Sequence, residues 1–248
     1  MSSPTNNSEA TETLSASATL FHGFALPHMP ALIAAIDSLD MAQAQHFVTP
    51  GGFTMSVNTL NCGEWGWVSD RRGYRYSRTD LVSGKAWQPM PIAMLALAQS
   101  AAQAAGFAHF QPDACLVNQY VVGAGMSLHQ DKNEADFAAP IVSVSLGLPA
   151  TFLWGGMLRS DKPARVPLIH GDVVVWGGVS RLRFHGVMPI KAKTAAQNVS
   201  LFDTDTAETD AAETDTADTG TVRTDPFTAS QVRINLTFRQ AVRGYGLT

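Results

Sequence analysis

Residues 231–239 read Gln231-Val232-Arg233-Ile234-Asn235-Leu236-Thr237-Phe238-Arg239. In an extended chain Val232, Ile234, Leu236 and Phe238 share one face, and Arg233, Asn235, Thr237 and Arg239 share the other. Period-two alternation predicts a β-strand with one apolar face. The polar face has two readings: it is solvated, or it points into a barrel, where its arginines are costly unless an anion meets them. The same period recurs upstream. Cys115–Val122 alternates and places Asn118 and Tyr120 on one face, Ile141–Leu146 alternates Ser with Val or Leu, and Asp172–Trp176 is a short apolar strand after His170-Gly171. Many short strands separated by Gly turns predict a mostly-β chain built on a jelly roll, the double-stranded β-helix.

Helices flank this core. Residues 30–45 read as a helix with Pro30 in its first turn. Residues 91–105 are rich in Ala, Leu and Met, start at Pro91 and stop at Gly106. Between them, residues 52–88 are rich in Trp, Tyr, Gly and Arg and are predicted as strands with long loops. The Ser/Thr/Asn-rich residues 1–14 are predicted disordered, as is Thr204–Thr221, which repeats Thr, Asp, Ala and Glu and cannot repay the entropy of ordering. Such a loop is tolerated inside a fold because closure entropy grows only logarithmically with length. The expected organisation is a disordered N-terminus (1–14), an N-terminal α/β extension (15–114), a β core (115–240) interrupted by an acidic insertion at about 200–225, and a tail (241–248).

The bulk properties fit this plan. A chain of 248 residues, 45% of them hydrophobic, can bury one substantial core. Cys62 and Cys115 are too few for a disulfide framework and read as buried thiols in a reducing compartment. The first 14 residues hold no Lys or Arg and no apolar run, which is unlike a secretory leader. No window approaches the ~20 apolar residues of a membrane span. A cytoplasmic enzyme is the expectation. The net charge of −4 is uneven: residues 200–225 hold eight acids and one base, Glu9 and Glu12 lie near the start, and without these segments the body carries about +5. A mildly basic body is compatible with a polyanionic partner.

The chemistry rests on His129-Gln130-Asp131 and a distant His185 in Arg183-Phe184-His185-Gly186. His-x-Asp on an extended segment points two ligands the same way, and a second imidazole completes the two-His-one-carboxylate set that holds Fe(II) on one face. Each piece alone is weak, since a surface histidine beside a turn aspartate is common. Zinc in the same set would leave the arginine strand without a purpose.

The ordered set His129-Gln-Asp131-Lys-Asn-Glu, His185 and Arg233-x-Asn235-x-Thr237-x-Arg239 resembles the AlkB-type iron(II)- and 2-oxoglutarate-dependent dioxygenases, close to the bacterial DNA-repair members. The likeness covers roughly residues 18–190 and 228–240 and includes Ala139-Pro-Ile-Val-Ser-Val-Ser-Leu-Gly-Leu148 and His170-Gly-Asp-Val-Val-Val-Trp-Gly-Gly178. The resemblance implies that His129, Asp131 and His185 bind Fe(II). Arg233 would hold the distal carboxylate of 2-oxoglutarate, and Asn118, Tyr120, Asn235 and Arg239 would complete the cosubstrate pocket. O2 is the second cosubstrate, and Arg239 also counts with the catalytic set. The implied reaction removes alkyl groups from damaged bases such as 1-methyladenine and 3-methylcytosine. It yields formaldehyde, with 2-oxoglutarate converted to succinate and CO2.

The resemblance also makes the 15–114 extension a nucleotide-recognition region. Trp67, Tyr74, Asn133 and Arg159 match positions near the base, and Arg71, Arg72, Arg75 and Arg78 stand ready for phosphates. Asn133 departs from the family, which commonly carries Asp there. The implied partner is alkylated nucleic acid, single-stranded DNA favoured and RNA left open, met by a monomer with no membrane involvement. A protein or small-molecule substrate for the same cofactors is the alternative, and a non-catalytic jelly-roll binding module is a third reading. The aromatic and basic stretch 65–78 favours the nucleic acid.

Overall fold

A computed structural model describes residues 11–192 and 231–242. Its elements are β1 (Thr11–Ser15), β2 (Ala18–Phe21), α1 (Met29–Asp37), β3 (Asn58–Gly63), β4 (Gly66–Asp70), β5 (Gly73–Ser77), α2 (Ile92–Ala104), β6 (Ala114–Tyr120), β7 (Met126–His129), β8 (Ile141–Gly147), β9 (Ala150–Trp154), β10 (Ala164–Leu168), β11 (Val173–Trp176), β12 (His185–Val187) and β13 (Arg233–Arg239). Seven strands form the major sheet in the order β1-β2-β11-β8-β13-β6-β3, four form a minor sheet in the order β10-β9-β12-β7, and β4-β5 make a separate hairpin. The jelly-roll expectation holds.

The strand read first from sequence sits inside the major sheet, paired antiparallel with β6 and β8. Its apolar side chains Ile234, Leu236 and Phe238 pack with Val142, Val144 and Leu146 of β8 and with Leu32 and Ile36 of α1 and Met94 and Leu97 of α2. Its polar side chains face the other way, and Arg233, Asn235, Thr237 and Arg239 are all buried. The inward reading of that face is therefore correct. On the same side of the sheet Leu20, Val174 and Trp176 pack against Phe152 and Trp154 of the minor sheet.

Helix α2 keeps its expected limits because both ends are built in. Pro91 is the N-cap, and past Ala105 the chain turns at Gly106 (φ +90°), where Gly106 N donates to Gln103 O at 3.0 Å and Phe107 N to Ala102 O at 2.8 Å. That pair of bonds satisfies carbonyls the helix end would leave open. Helix α1 stops at Asp37, short of residue 45. Ser38 Oγ donates to Ala35 O at 2.7 Å and the Asp40 carboxylate accepts from Ala42 N at 3.1 Å, so side chains take over the backbone bonds of a longer helix.

Two expectations about organisation need correction. Residues 11–14 are not disordered: with Ser15 they form β1, an edge strand paired with β2 from Thr11↔Phe21 onward. A strand at an edge needs backbone pairing more than apolar side chains, so a Thr/Ser-rich composition conceals it. The division at 114/115 is likewise no boundary, because β1, β2 and β3 flank the core strands within one sheet. The acidic insertion, residues 1–10 and the tail beyond 242 lie outside the described residues. Cys62 and Cys115 are free, buried and directly opposed across β3 and β6. Among the described residues no helix is long and apolar enough to cross a membrane.

Because Phe238 is fully buried between sheet and helices, Phe238→Ala should cost about 3–5 kcal/mol, whereas Ile234→Val should cost ~0.5–1.5 kcal/mol. Urea denaturation with an unchanged slope checks both, and a Phe238→Ala loss below about 1 kcal/mol would contradict the packing described here.

Candidate active site

The minor sheet sets the two imidazoles side by side, their planes tilted by 55°. β12 pairs antiparallel with β7 in a register that places His185 directly opposite His129, with ring centroids 4.4 Å apart. Asp131 follows two residues after the end of β7, with Oδ1 3.7 Å from His129 Nε2 and Oδ2 3.4 Å from His185 Nε2. One ligand atom from each of the three residues lies within 4.8 Å of the others, a spacing that suits a single ion. Each Nδ1 faces a backbone carbonyl, His129 at Ser127 O (2.9 Å) and His185 at Arg183 O (3.0 Å). A carbonyl only accepts, so Nδ1 carries the proton and Nε2 keeps its lone pair for the metal.

Electrostatics keeps the set ready to bind. Burial, and then the neighbouring His185, push the His129 imidazolium down, which favours the neutral ligand form. Burial works most strongly against charge on Asp131, but the Arg239 guanidinium, His185 and His129 together outweigh it and hold the carboxyl well below the usual carboxylate range. Arg239 Nη2 stands 2.8 Å from Asp131 Oδ2. Burial pulls Arg239 down as well, yet Asp131, Tyr76 and Glu134 more than compensate and keep it charged. Trp176, Phe152 and Trp154 surround the buried His185, with centroids 5.0, 6.1 and 6.5 Å from its ring, and make a dry wall.

Arg233 is the strongest indication of an anionic ligand. It is 1% exposed and ion-pairs with no carboxylate among the described residues. Its Nη2 donates to Ser145 Oγ at 2.9 Å and its Nη1 to Leu148 O at 3.4 Å, both neutral acceptors, and its Nε has no partner. Burial brings its pKa down to about 10, so it remains a cation at neutral pH. A buried cation with an idle donor fits a carboxylate, and a guanidinium fork suits one better than a point charge. Tyr120 lies directly across the β6 register from Arg233, and burial pushes its phenol up to about 12. Asn118 sits across from Asn235 and is held by Thr59 Oγ1, which donates to its Oδ1 at 2.8 Å. Asn235 Nδ2 donates to Ser143 Oγ at 2.8 Å. The donor set therefore fits both groups that the resemblance implied: two imidazole nitrogens and a carboxylate for Fe(II), and an uncompensated arginine among neutral polar groups for a dicarboxylate.

A single cavity of about 710 Å³ connects these parts and is lined by the expected metal and cosubstrate residues and by Trp67, Tyr74, Asn133 and Arg159, but not by Arg71, Arg72, Arg75 or Arg78. Trp67 and Tyr74 belong to the β4-β5 hairpin and stack on each other, centroids 5.4 Å apart and planes 16° from parallel, while Phe47 meets Trp67 edge-on. Asn133 bridges them, accepting from Trp67 Nε1 at 3.2 Å and donating to Tyr74 O at 3.3 Å. An indole N–H only donates and a carbonyl only accepts, so the direction of this amide is fixed by chemistry. Arg159 is exposed, with its guanidinium 5.8 Å from the Phe184 ring. Of the four arginines between 71 and 78, two are engaged at home: Arg75 binds both oxygens of Asp70 at 2.8 Å, and Arg78 pairs with Glu64 at 3.0 Å.

The sequence reading missed Ser143, Ser145, Tyr76, Glu134 and Arg181. The serines were visible as the polar half of the β8 alternation, but their place beside Arg233 and Asn235 required the β8–β13 register. Glu134 and Arg181 are both buried and pair at 3.0 Å, across 47 positions of sequence with no periodicity to join them.

The family model for the 2OG-Fe(II) oxygenase superfamily matches residues 17–239. The chain is 53% identical over 182 residues to the alpha-ketoglutarate-dependent dioxygenase AlkB of Escherichia coli K12, covering 73% of this chain and 84% of that one. It is 42% identical over 154 residues to the AlkB homolog of Caulobacter vibrioides, covering 62% and 68%. Among solved structures OsALKBH1 superposes with a TM-score of 0.69 at 26% identity, over 93% of this chain and all of that one. With its three metal-ligating side chains in one cluster and its buried arginine strand, the chain belongs to the 2OG-Fe(II) oxygenase superfamily and is an Fe(II)- and 2-oxoglutarate-dependent dioxygenase.

Proposed function

We propose that the protein removes alkyl groups from N-alkylated bases such as 1-methyladenine and 3-methylcytosine in DNA, and in RNA as a second substrate, as direct reversal of alkylation damage. The observation that carries this reading is the one cavity shared by the metal ligands, the uncompensated Arg233 and the Trp67–Tyr74 stack. Relatives point the same way: Escherichia coli AlkB is named a dioxygenase, and the 34%-identical mouse relative, of which this chain spans 31%, is named nucleic acid dioxygenase ALKBH1.

In this reading His129, Asp131 and His185 hold the iron. Arg233 and Ser145 take the distal carboxylate of 2-oxoglutarate, and Asn118, Tyr120, Asn235 and Arg239 shape the rest of its pocket. Fe(II) with O2 and 2-oxoglutarate supplies the oxidation, which yields succinate, CO2, formaldehyde and the restored base. The protein binds, orients and keeps water away. Trp67 and Tyr74 offer an aromatic face for a base, and a cationic alkylated base gains a further attraction there. A base in a duplex must leave its stack to reach such a cavity, so single-stranded DNA is the favoured substrate. Exposed Arg71, Arg72 and Arg159 are placed for phosphates. We further propose a cytoplasmic monomer, checked by light scattering of the purified protein.

Loading with Fe(II) and 2-oxoglutarate without O2, then adding O2 and methylated single-stranded DNA, should give formaldehyde and succinate in equal amounts. Succinate without loss of 1-methyladenine or 3-methylcytosine would redirect the reading to a protein or small-molecule substrate. Arg233→Ala should raise the 2-oxoglutarate KM about 10- to 100-fold, as expected for losing ~1.5–3 kcal/mol of charge-assisted hydrogen bonding. An unchanged KM would remove Arg233 from the cosubstrate site. Asn133 is neutral, so Asn133→Asp should shift the kcat/KM ratio towards cationic 3-methylcytosine over neutral 3-methylthymine by about fivefold or more, the scale of ~1 kcal/mol from one added charge. Equal ratios for the two proteins would place Asn133 outside base selection.

A further inference from the structure

Behind the metal ligands lies a buried ionic cluster that metal binding alone does not explain. Asp131, Glu134, Arg181 and Arg239 are all at most 6% exposed and balance as two anions and two cations. Arg181 Nη2 pairs with Glu134 Oε2 at 3.0 Å, and Arg181 Nη1 donates to the main-chain carbonyl of Asp131 at 2.7 Å. Arg239 reaches both carboxylates, with Nη2 2.8 Å from Asp131 Oδ2 and Nη1 3.6 Å from Glu134 Oε1. Four buried charges are costly unless each keeps its partners, so the cluster behaves as a unit: movement of one member is felt by the others.

One further group enters this unit, and it comes from the hairpin. Tyr76 of β5 donates its hydroxyl to Glu134 Oε1 at 2.7 Å and accepts from Arg239 Nη1 at 3.3 Å. Tyr76 is the direct cross-strand partner of Trp67 and stands two residues from Tyr74 on the same face of β5. Asn133, just past Asp131, also ties to Trp67 Nε1 and Tyr74 O, but through neutral groups outside the charged cluster. Other side-chain ties run elsewhere, with Asn61 on the Trp67 backbone, Ser69 Oγ donating to Val48 O, and Trp87 Nε1 donating to Ser77 O. The Tyr76 hydroxyl is the hairpin's tie into the charged cluster, and Arg239 alone stands between it and the Asp131 carboxylate.

We propose that Tyr76, with Glu134, is a positioning residue that couples occupancy of the metal and cosubstrate pocket to the order of the nucleotide-facing hairpin. Filling the pocket fixes Asp131 and Arg239, Arg239 and Glu134 fix the Tyr76 hydroxyl, and β5 carries Tyr74 and, across the ladder, Trp67 into place. The site thereby presents its aromatic face for a base once the oxidising centre is assembled. By linkage the effect is reciprocal: a base held on the hairpin tightens the metal and cosubstrate. The coupling to a base rests on the nucleic-acid reading; the coupling of pocket to hairpin does not.

Hydrogen exchange without nucleic acid tests it directly. Co(II) with 2-oxoglutarate is added to the whole chain as an oxygen-stable stand-in for Fe(II). In the wild type, amides of residues 66–77 should gain about tenfold protection, the scale of an ordinary coupling free energy. Tyr76→Phe should bind Co(II) yet lose that gain, while β6 and β13 respond as in the wild type. A purely structural role would lower hairpin protection equally with and without ligand and leave the gain intact, which would overturn the proposal. So would a wild-type hairpin that does not respond. Glu134→Gln, which keeps the shape and removes one charge, should also reduce the gain, and a full gain there would likewise overturn it. In a second arm, anisotropy of a labelled single-stranded oligonucleotide bearing 3-methylcytosine should show about tenfold tighter binding with Co(II) and 2-oxoglutarate, falling to within about twofold of unity in Tyr76→Phe. If the oligonucleotide does not bind the wild type at all, the nucleic-acid reading fails while the exchange result stands on its own.

Discussion

β13 lies within a sheet covered on both faces, and most of the chemistry descends from that placement. One face receives helices α1 and α2 and is apolar throughout. The other carries two arginines into the space between the sheets, where each loses its water. A desolvated guanidinium must find an anion or be a liability. Arg239 finds Asp131 and Glu134. Among the described residues Arg233 finds the hydroxyl of Ser145 and the carbonyl of Leu148, both neutral. The two ends of one strand thus divide the work: the Arg239 end orients a metal ligand, and the Arg233 end holds an unmet positive charge for a ligand from outside.

The metal ligands depend on both sheets at once. The histidines belong to neighbouring strands of the minor sheet and are fixed by the register between β7 and β12. The carboxylate lies just past β7, but an arginine of the major sheet stands 2.8 Å from it and, with the two histidines, keeps it charged. The triad is complete only when the two sheets are packed together, with Phe152, Trp154 and Trp176 filling the space beside His185. Folding of the jelly roll and assembly of the metal site are in this sense one event.

What the sequence discloses follows the range of the interactions involved. Alternation in 231–239 and 115–122 revealed strands and faces, because side-chain direction in a strand is local. Pro91 and Gly106 revealed the ends of α2 for the same reason. The ordered metal and arginine motifs, through family resemblance, named residues that the fold brings to one cavity. Ser145, Glu134, Arg181 and Tyr76 stayed hidden because each owes its role to a partner tens of residues away or more, and no local pattern records which strand or loop becomes a neighbour. β1 was hidden for the opposite reason: pairing at an edge asks little of side chains, so its Thr/Ser composition resembled a loop. Arg75 and Arg78 show a third limit, since a cluster of basic residues says nothing of the acids, Asp70 and Glu64, that already hold two of them.

The site is accordingly of two kinds. The oxidising half is buried, charge-balanced and tied to both sheets, so small changes there disturb several partners together. The aromatic half is a two-stranded hairpin with its own short turn, whose Tyr74 is 44% exposed and whose Asn133 bridge is made of neutral groups. Two-stranded ribbons are marginal structures by themselves and take their order from what they are docked against. A reaction that generates a strong oxidant is served by rigidity at the metal, whereas admission of a substrate from outside is served by a softer wall. The ionic cluster at Tyr76 is where the soft wall meets the rigid one: one phenol touches both Glu134 and Arg239, and Arg239 in turn touches Asp131.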